Sequence, residues 1–310
     1  MTTLRPRAHT LPWIALGVVY VLWGSTYLAN RFIIVSMPPL LASGLRFLTG
    51  GLLLGILVLV VAGPRTFAMT RAQLGTAALS GLLLPAWGNG LVILAQSQVA
   101  SGLTALLIAS VPLYIAVLRA LTGDRPRRAT VLGVLVGAAG LVLLVLVGPA
   151  GGSGGVSGSA WWGPPLVLLA GLGWATGTFA TTRTPVPPNP FGLATVQQLI
   201  GGAVLVGAGT VVGERLHPAA VAPVSWWAWL YMALFVSLGA FSAYAYALAT
   251  LPVSTVATYA YVNPVIAVLL GVVVAGERFT PLQLAGGAVV LVAVVVVIAA
   301  ERRNAVAGRS

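Results

Sequence analysis

The chain has no cysteine and no lysine, only four acidic residues, and two histidines among 310 residues. The absence of cysteine excludes disulfides, thiol chemistry and cysteine metal centres. His9 and His217 both fall outside the apolar blocks, so neither a metal site nor a histidine proton relay is expected within them. Charged residues make up 6% of the chain against 59% hydrophobic ones. A water-soluble domain needs more charge than this to cover its surface. The continuous apolar blocks also lack the alternating faces of transmembrane strands, which excludes a β-barrel.

What is present is a series of apolar blocks, each about 20 residues long and sufficient to cross a hydrocarbon core about 30 Å thick. Spans are expected at 12–30, 40–62, 73–94, 99–121, 129–148, 161–182, 191–212, 226–247, 252–275 and 281–300. The first block lacks a small-residue cleavage site and is read as a retained span.

A net charge of +12 would point to nucleic acid in a soluble protein; here the placement of the sixteen arginines accounts for it. With the N-terminus inside, twelve lie in cytoplasmic segments: Arg5, Arg7, Arg65, Arg71, Arg119, Arg125, Arg127, Arg128, Arg183, Arg302, Arg303 and Arg309. Three, Arg31, Arg215 and Arg278, lie in outer segments, and Arg46 is within a span. By the positive-inside rule both termini are cytoplasmic. No nucleic-acid partner is expected; the partners are the bilayer and a small molecule.

The chain repeats itself. Trp23 matches Trp174 and Gly50-Gly51 matches Gly201-Gly202 at a spacing of 151, Pro112 matches Pro264 at 152, and Gly123-Asp124 matches Gly276-Glu277 at 153. Five spans per half is an odd number, so the second copy enters the bilayer upside down. An inverted repeat is the architecture of alternating-access carriers. The expected fold is therefore all-α, with ten transmembrane helices as two inverted five-helix repeats, 12–148 and 161–300, joined by an outer Gly/Ser-rich linker at 149–160.

Trp23-Gly24-Ser25-Thr26-Tyr27, Leu45-Arg46-Phe47, Gly88-Asn89-Gly90, Tyr259-Ala260-Tyr261-Val262-Asn263-Pro264 and Gly276-Glu277-Arg278 stand in order along the chain. As a set they resemble the EamA-type members of the drug/metabolite transporter superfamily, most closely its YedA-like branch. The resemblance covers the chain from first span to tenth. It implies a ten-helix inner-membrane carrier, often an exporter of amino acids or other small metabolites. Where relatives often carry an acidic residue near the end of the third span, this chain has Gln96, a departure that removes carboxylate-based coupling from that position.

Candidate substrate contacts follow from polar residues inside apolar spans. Trp23, Thr26, Tyr27 and Asn30 form one helical stripe, echoed by Trp174, Gly177, Thr178 and Thr181 in the sixth span; a packing seam is the competing reading. Asn89 and Gln96 share a face after Pro85, and Thr255, Tyr259 and Asn263 stack at steps of four. Tyr244 and Tyr246 are read as interface-belt tyrosines.

Pro85, Pro112 and Pro264 are candidate helix breaks, because proline removes a backbone donor inside the bilayer. Arg46, whose repeat mate is Gln197, has two readings: a contact for an anionic substrate group, or a structural ion pair with Glu277. Asp124 is read as a solvated loop carboxylate capping the next helix.

The spans hold no His, Cys, Asp or Glu, so neither catalytic machinery, nor a metal, nor a cofactor is expected. A channel-like facilitator is the alternative to a carrier.

Overall fold

The computed structural model describes residues 10–124, 126–147, 161–251 and 253–307. The linker at 149–160, and Arg5, Arg7, His9, Arg125 and Arg309, lie outside the described residues. All regular structure among the described residues is helical.

In the first half, α1 comprises Leu11–Gly24 and Thr26–Ile33, and α2 is Pro39–Ala62. Helix α3 joins Arg71–Gly81, Leu82–Asn89 and Gly90–Ala95; α4 joins Ser101–Ile108 and Val111–Leu121; α5 is Arg128–Val147. In the second half, α6 is Gly163–Arg183 and α7 is Pro190–Val211. Helix α8 joins Pro223–Tyr231, Met232–Ala240 and Phe241–Thr250, α9 is Tyr259–Ala275, and α10 is Pro281–Ala307. Among the described residues, eight candidate spans are long and apolar enough to cross a membrane. Helix α6 falls outside that class, and α9 is shorter, with 17 residues.

Local chemistry explains the starts. Pro39, Pro190, Pro223 and Pro281 each open a helix, where the missing N–H has no intrahelical partner to lose. Thr70 and Gln73 form a reciprocal capping box at the start of α3, and Thr280 and Gln283 repeat it before α10. The side chain of Asn189 accepts from two backbone N–H groups of α7.

The most extensive packing joins α2 to α7 and α5 to α10, the counterparts of the two halves. Helices α2 and α7 approach through glycine: a Cβ on Gly44 would stand 2.7 Å from Val206 N, and one on Gly202 would stand 2.8 Å from Leu48 N. Small residues at such seams let backbones close where no hydrophobic effect drives association. Val60, Leu146, Val211 and Val273 are among the large aliphatics left exposed, as contact with hydrocarbon requires.

Two features depart from expectation. Pro264 does not interrupt its helix; it lies inside the continuous α9, and the break falls earlier, at Ala257–Thr258, after a short helix Val253–Val256. Pro112 does accompany a break at Ala109–Ser110, as the second residue of the helix that follows. The two breaks are thus not equivalent. The matched irregularity is instead π-helical, over Leu82–Asn89 around Pro85 and over Met232–Ala240, which contains no proline. Proline disrupts the i→i−4 pattern in the first case, whereas nothing in the local composition announces the second.

Candidate functional site

A cavity of about 960 Å³ lies between the two halves. Trp23 and Tyr27 of α1, Arg46 of α2, and Pro85 and Asn89 of α3 line it from the first half, with Pro112 of α4. Trp174 of α6, Gln197 of α7, and Tyr259, Asn263 and Pro264 of α9 line it from the second. These residues come together. Asn30 does not: it is buried, donating Nδ2 to Gln96 Oε1 at 2.9 Å, while Gln96 Nε2 donates to the Tyr27 carbonyl at 2.8 Å. This polar clasp between α1 and α3 leaves the Asn30 amide turned away from the cavity. Trp23, Thr26 and Tyr27 keep the stripe on the cavity across the turn at Ser25, and it ends at Asn30, which Gln96 holds.

The π-helical stretches form part of the wall, through Leu84, Pro85, Gly88 and Asn89 on one side and Val236 and Ser237 on the other. The wider turn lets Asn89 Nδ2 donate to the Leu84 carbonyl five residues back, at 3.2 Å. Such turns inside α-helices recur at functional sites.

Opposite them is an aromatic cluster. Trp23 lies 5.0 Å from Tyr259, edge to face, and 5.0 Å from Tyr244, with the two tyrosines 5.9 Å apart. Tyr20 and Thr258 hydrogen-bond beside it. Tyr244 therefore does not serve in an interface belt: α8 runs on to Thr250, which leaves Tyr244 inside its end and packed on α1.

Arg46 is buried, with only 3% of its surface exposed. It does not pair with Glu277. Its guanidinium lies 4.0 Å from the Phe47 ring centre, Nη1 is 3.7 Å from Met232 Sδ, and Nε has no partner. Gln197, its repeat mate, donates to Ser80 Oγ at 2.8 Å. The neighbouring Gln198 is the residue that sequence reasoning missed. It lines the cavity, is 2% exposed, and both its amide atoms lack partners. One position along a helix turns a side chain by about 100°, and the adjacent glutamines offered no sequence signal to choose between them. Asn263 Oδ1 is likewise buried and unpartnered. Buried polar groups without partners are costly. Arg46 Nε–H and the Gln198 amide supply donors, and Gln198 and Asn263 supply acceptor oxygens, beside aromatic faces. That set suits a small polar or zwitterionic molecule with an apolar part.

Glu277 instead receives Arg31 Nη1 at 2.6 Å and the Ser101 and Gly102 N–H groups at 2.8 and 3.0 Å. The Asp124 carboxylate accepts from Arg119 Nε at 2.9 Å and Arg183 Nη2 at 3.2 Å. The Arg119 hydrogen bond, with the charges of both arginines, holds the Asp124 carboxyl below its ordinary value. Among the described residues no three His, Cys, Asp or Glu side chains gather to hold a metal ion.

The EamA-like transporter family model matches residues 11–146 and 161–299. The chain is 37% identical over 278 residues to YedA, an inner membrane transporter of Escherichia coli strain K12, covering 89% of this chain and 87% of the relative. It is 30% identical over 278 residues to a Streptantibioticus cattleyicolor protein named "Probable terminal-alkyne amino-acid exporter", covering 89% of each. A solved crystal structure superposes with a TM-score of 0.64 at 21% identity, over 96% of this chain and 99% of that one; this likeness concerns the fold alone.

Proposed function

Because the chain belongs to the EamA-like transporter family, and is therefore a multi-pass membrane transporter and not an enzyme, we propose that it exports a small molecule by alternating access. In this reading two inverted five-helix repeats, 12–148 and 161–300, rock about the central cavity, with both termini cytoplasmic. The substrate class proposed is amino acids and related small amphipathic metabolites. The observation that carries it is the wall of buried, unpartnered polar atoms on Arg46, Gln198 and Asn263 around a cavity of about 960 Å³. A carboxylate accepts from Arg46 and the Gln198 amide, an ammonium group donates to Asn263 Oδ1, and an apolar side chain rests on Trp23 and Tyr259. The relative named as an amino-acid exporter supports the same class. The twelve-to-three arginine asymmetry supports the orientation.

Counterflow tests both class and mechanism. Proteoliposomes loaded with a mixture of unlabelled amino acids are diluted into trace labelled amino acids. A carrier gives a transient overshoot of label inside. Monotonic equilibration would identify a channel-like facilitator, and no uptake of any label would remove amino acids as the class.

A further inference from the structure

Three of the four acidic residues have described side chains, and each follows a glycine with positive φ at the end of a helix. Glu214, after Gly213, accepts from the Leu40 and Leu41 N–H groups, and the other two are related by the repeat. Gly276, at φ 62°, ends α9, and the Glu277 N–H returns to the Gly271 carbonyl at 2.9 Å. Gly123, at φ 101°, follows α4, and the Asp124 N–H returns to the Arg119 carbonyl at 3.0 Å. Glycine takes this conformation without strain, and the turn folds each carboxylate back toward neighbouring helices.

What each carboxylate meets is also duplicated. Glu277 joins the end of α9 to Arg31 at the end of α1; Asp124 joins the end of α4 to Arg183 at the end of α6. Glu277 follows Asp124 by 153 positions and Arg183 follows Arg31 by 152, the spacings at which the two halves repeat. Arg31–Glu277 and Arg183–Asp124 are one ion pair in two copies. Successive helices run in opposite directions, so the copies sit at opposite faces.

Their states differ. At the Glu277 face the pair is 2.6 Å long, with side chains 17% and 2% exposed, and Ser101 N, Ser101 Oγ and Gly102 N complete the carboxylate's bonds. At the Asp124 face the pair is 3.2 Å long, with side chains 47% and 40% exposed. The cavity follows the same asymmetry. Its lining reaches Arg119, which bonds Asp124, and Val297 and Ile298 near the same face, while Arg31, Ser101 and Glu277 remain outside it. The cavity stops short of the buried pair and extends toward the face where the pair is exposed.

We propose that Arg31–Glu277 and Arg183–Asp124 are the two gate latches of the transport cycle, one closing its face while the other yields. This rests on the alternating-access reading above. To open the Glu277 face, α1 and α9 must part from the start of α4, and Glu277 must give up Arg31 and its three N–H and O–H donors. Burial and tightening of Arg183–Asp124 at the other face is the compensating event, and the repeat makes the two states related exchanges.

The absence of native cysteine makes the test direct. Ile108 lines the cavity one residue before the α4 break, and Ile108→Cys serves as reporter. Its labelling by an impermeant maleimide is measured from each face, in intact cells and in inverted vesicles. The reporter chain should label faster from the Asp124 face. Adding Glu277→Gln should raise labelling from the Glu277 face by on the order of tenfold, the equilibrium weight of charged hydrogen bonds. Adding Asp124→Asn should lower it. Arg31→Gln keeps the Ser101 and Gly102 bonds and should move the ratio in the same direction as Glu277→Gln, by less; it decides the matter if Glu277→Gln does not fold. A two-face ratio unchanged in the folded Glu277 and Arg31 variants would overturn the latch. Monotonic equilibration by the reporter chain in the counterflow assay would instead overturn alternating access itself.

Discussion

Arg46 concentrates the chemistry of the site. An arginine buried among Phe47, Met232 and the cavity wall has no carboxylate paired with it among the described residues, and Glu277 is committed to Arg31. A buried charge without a partner opposes folding, and replacing it with an apolar side chain of similar length is often neutral or stabilising, by about 1–4 kcal/mol. Arg46→Met should therefore hold or raise the midpoint of thermal unfolding in detergent while cutting counterflow of carboxylate-bearing substrates by tenfold or more (~1.4 kcal/mol). A variant that melts early and transports normally would assign Arg46 to the scaffold. The sequence showed Arg46 as the one ionisable side chain inside a span but not its surroundings. Two arginines compete for Glu277, and their distances along the chain, 231 and 246 residues, carry no information on which is near. The same holds for Gln197 and Gln198: the mate found by repeat alignment bonds Ser80, and its neighbour presents the unpaired amide.

Among the elements, α2 and α7 pack most extensively, and at their crossing Gly44 and Gly202 admit no Cβ without meeting opposing backbone. Gly202→Val should lower stability, with overpacking costs of about 1–3 kcal/mol as a floor, because backbone cannot yield as a side-chain tip can. Gly207→Ala on the same helix, with nothing within 4 Å of the new methyl, is the control and should leave thermal unfolding unchanged or slightly raised. If both variants melt alike, the crossing is looser than the structure has it. Helix starts were legible, since Thr70 with Gln73, Thr280 with Gln283, and the opening prolines act through bonds a few residues long. The interior irregularities were not. Pro264 sits in an unbroken helix, and the π-helical Met232–Ala240 contains neither proline nor an unusual residue pattern. Whether a span bends depends on which neighbours take up the freed carbonyls, and those neighbours belong to other helices.

For the whole molecule, the proposed orientation has its own check. Thr70, before α3, and Ala219, between α7 and α8, are both exposed and lie at opposite faces. Single cysteines at these positions, exposed to an impermeant maleimide on intact cells, should label at Ala219→Cys and not at Thr70→Cys. The reverse pattern would invert the assignment of both termini, and with it which latch faces the cytoplasm.

The sequence alone determined the class of this protein: a helical membrane transporter of duplicated halves. Span length, hydropathy and repeat spacing are local or additive properties, and bilayer thickness leaves few ways to satisfy them. It also supplied the polar positions from which the cavity is built, since a polar residue in an apolar span stands out at any rotation of the helix. Only the tertiary structure decided the partners: Arg31 rather than Arg46 for Glu277, Gln96 rather than the cavity for Asn30, the aromatic cluster rather than the interface for Tyr244. In a soluble helix the apolar stripe marks the buried face; here lipid and protein are both apolar, so hydropathy does not say which side of a span faces inward. That choice is made by close packing between segments far apart in the chain, where 100° of rotation at one crossing exchanges a substrate contact for a structural bond.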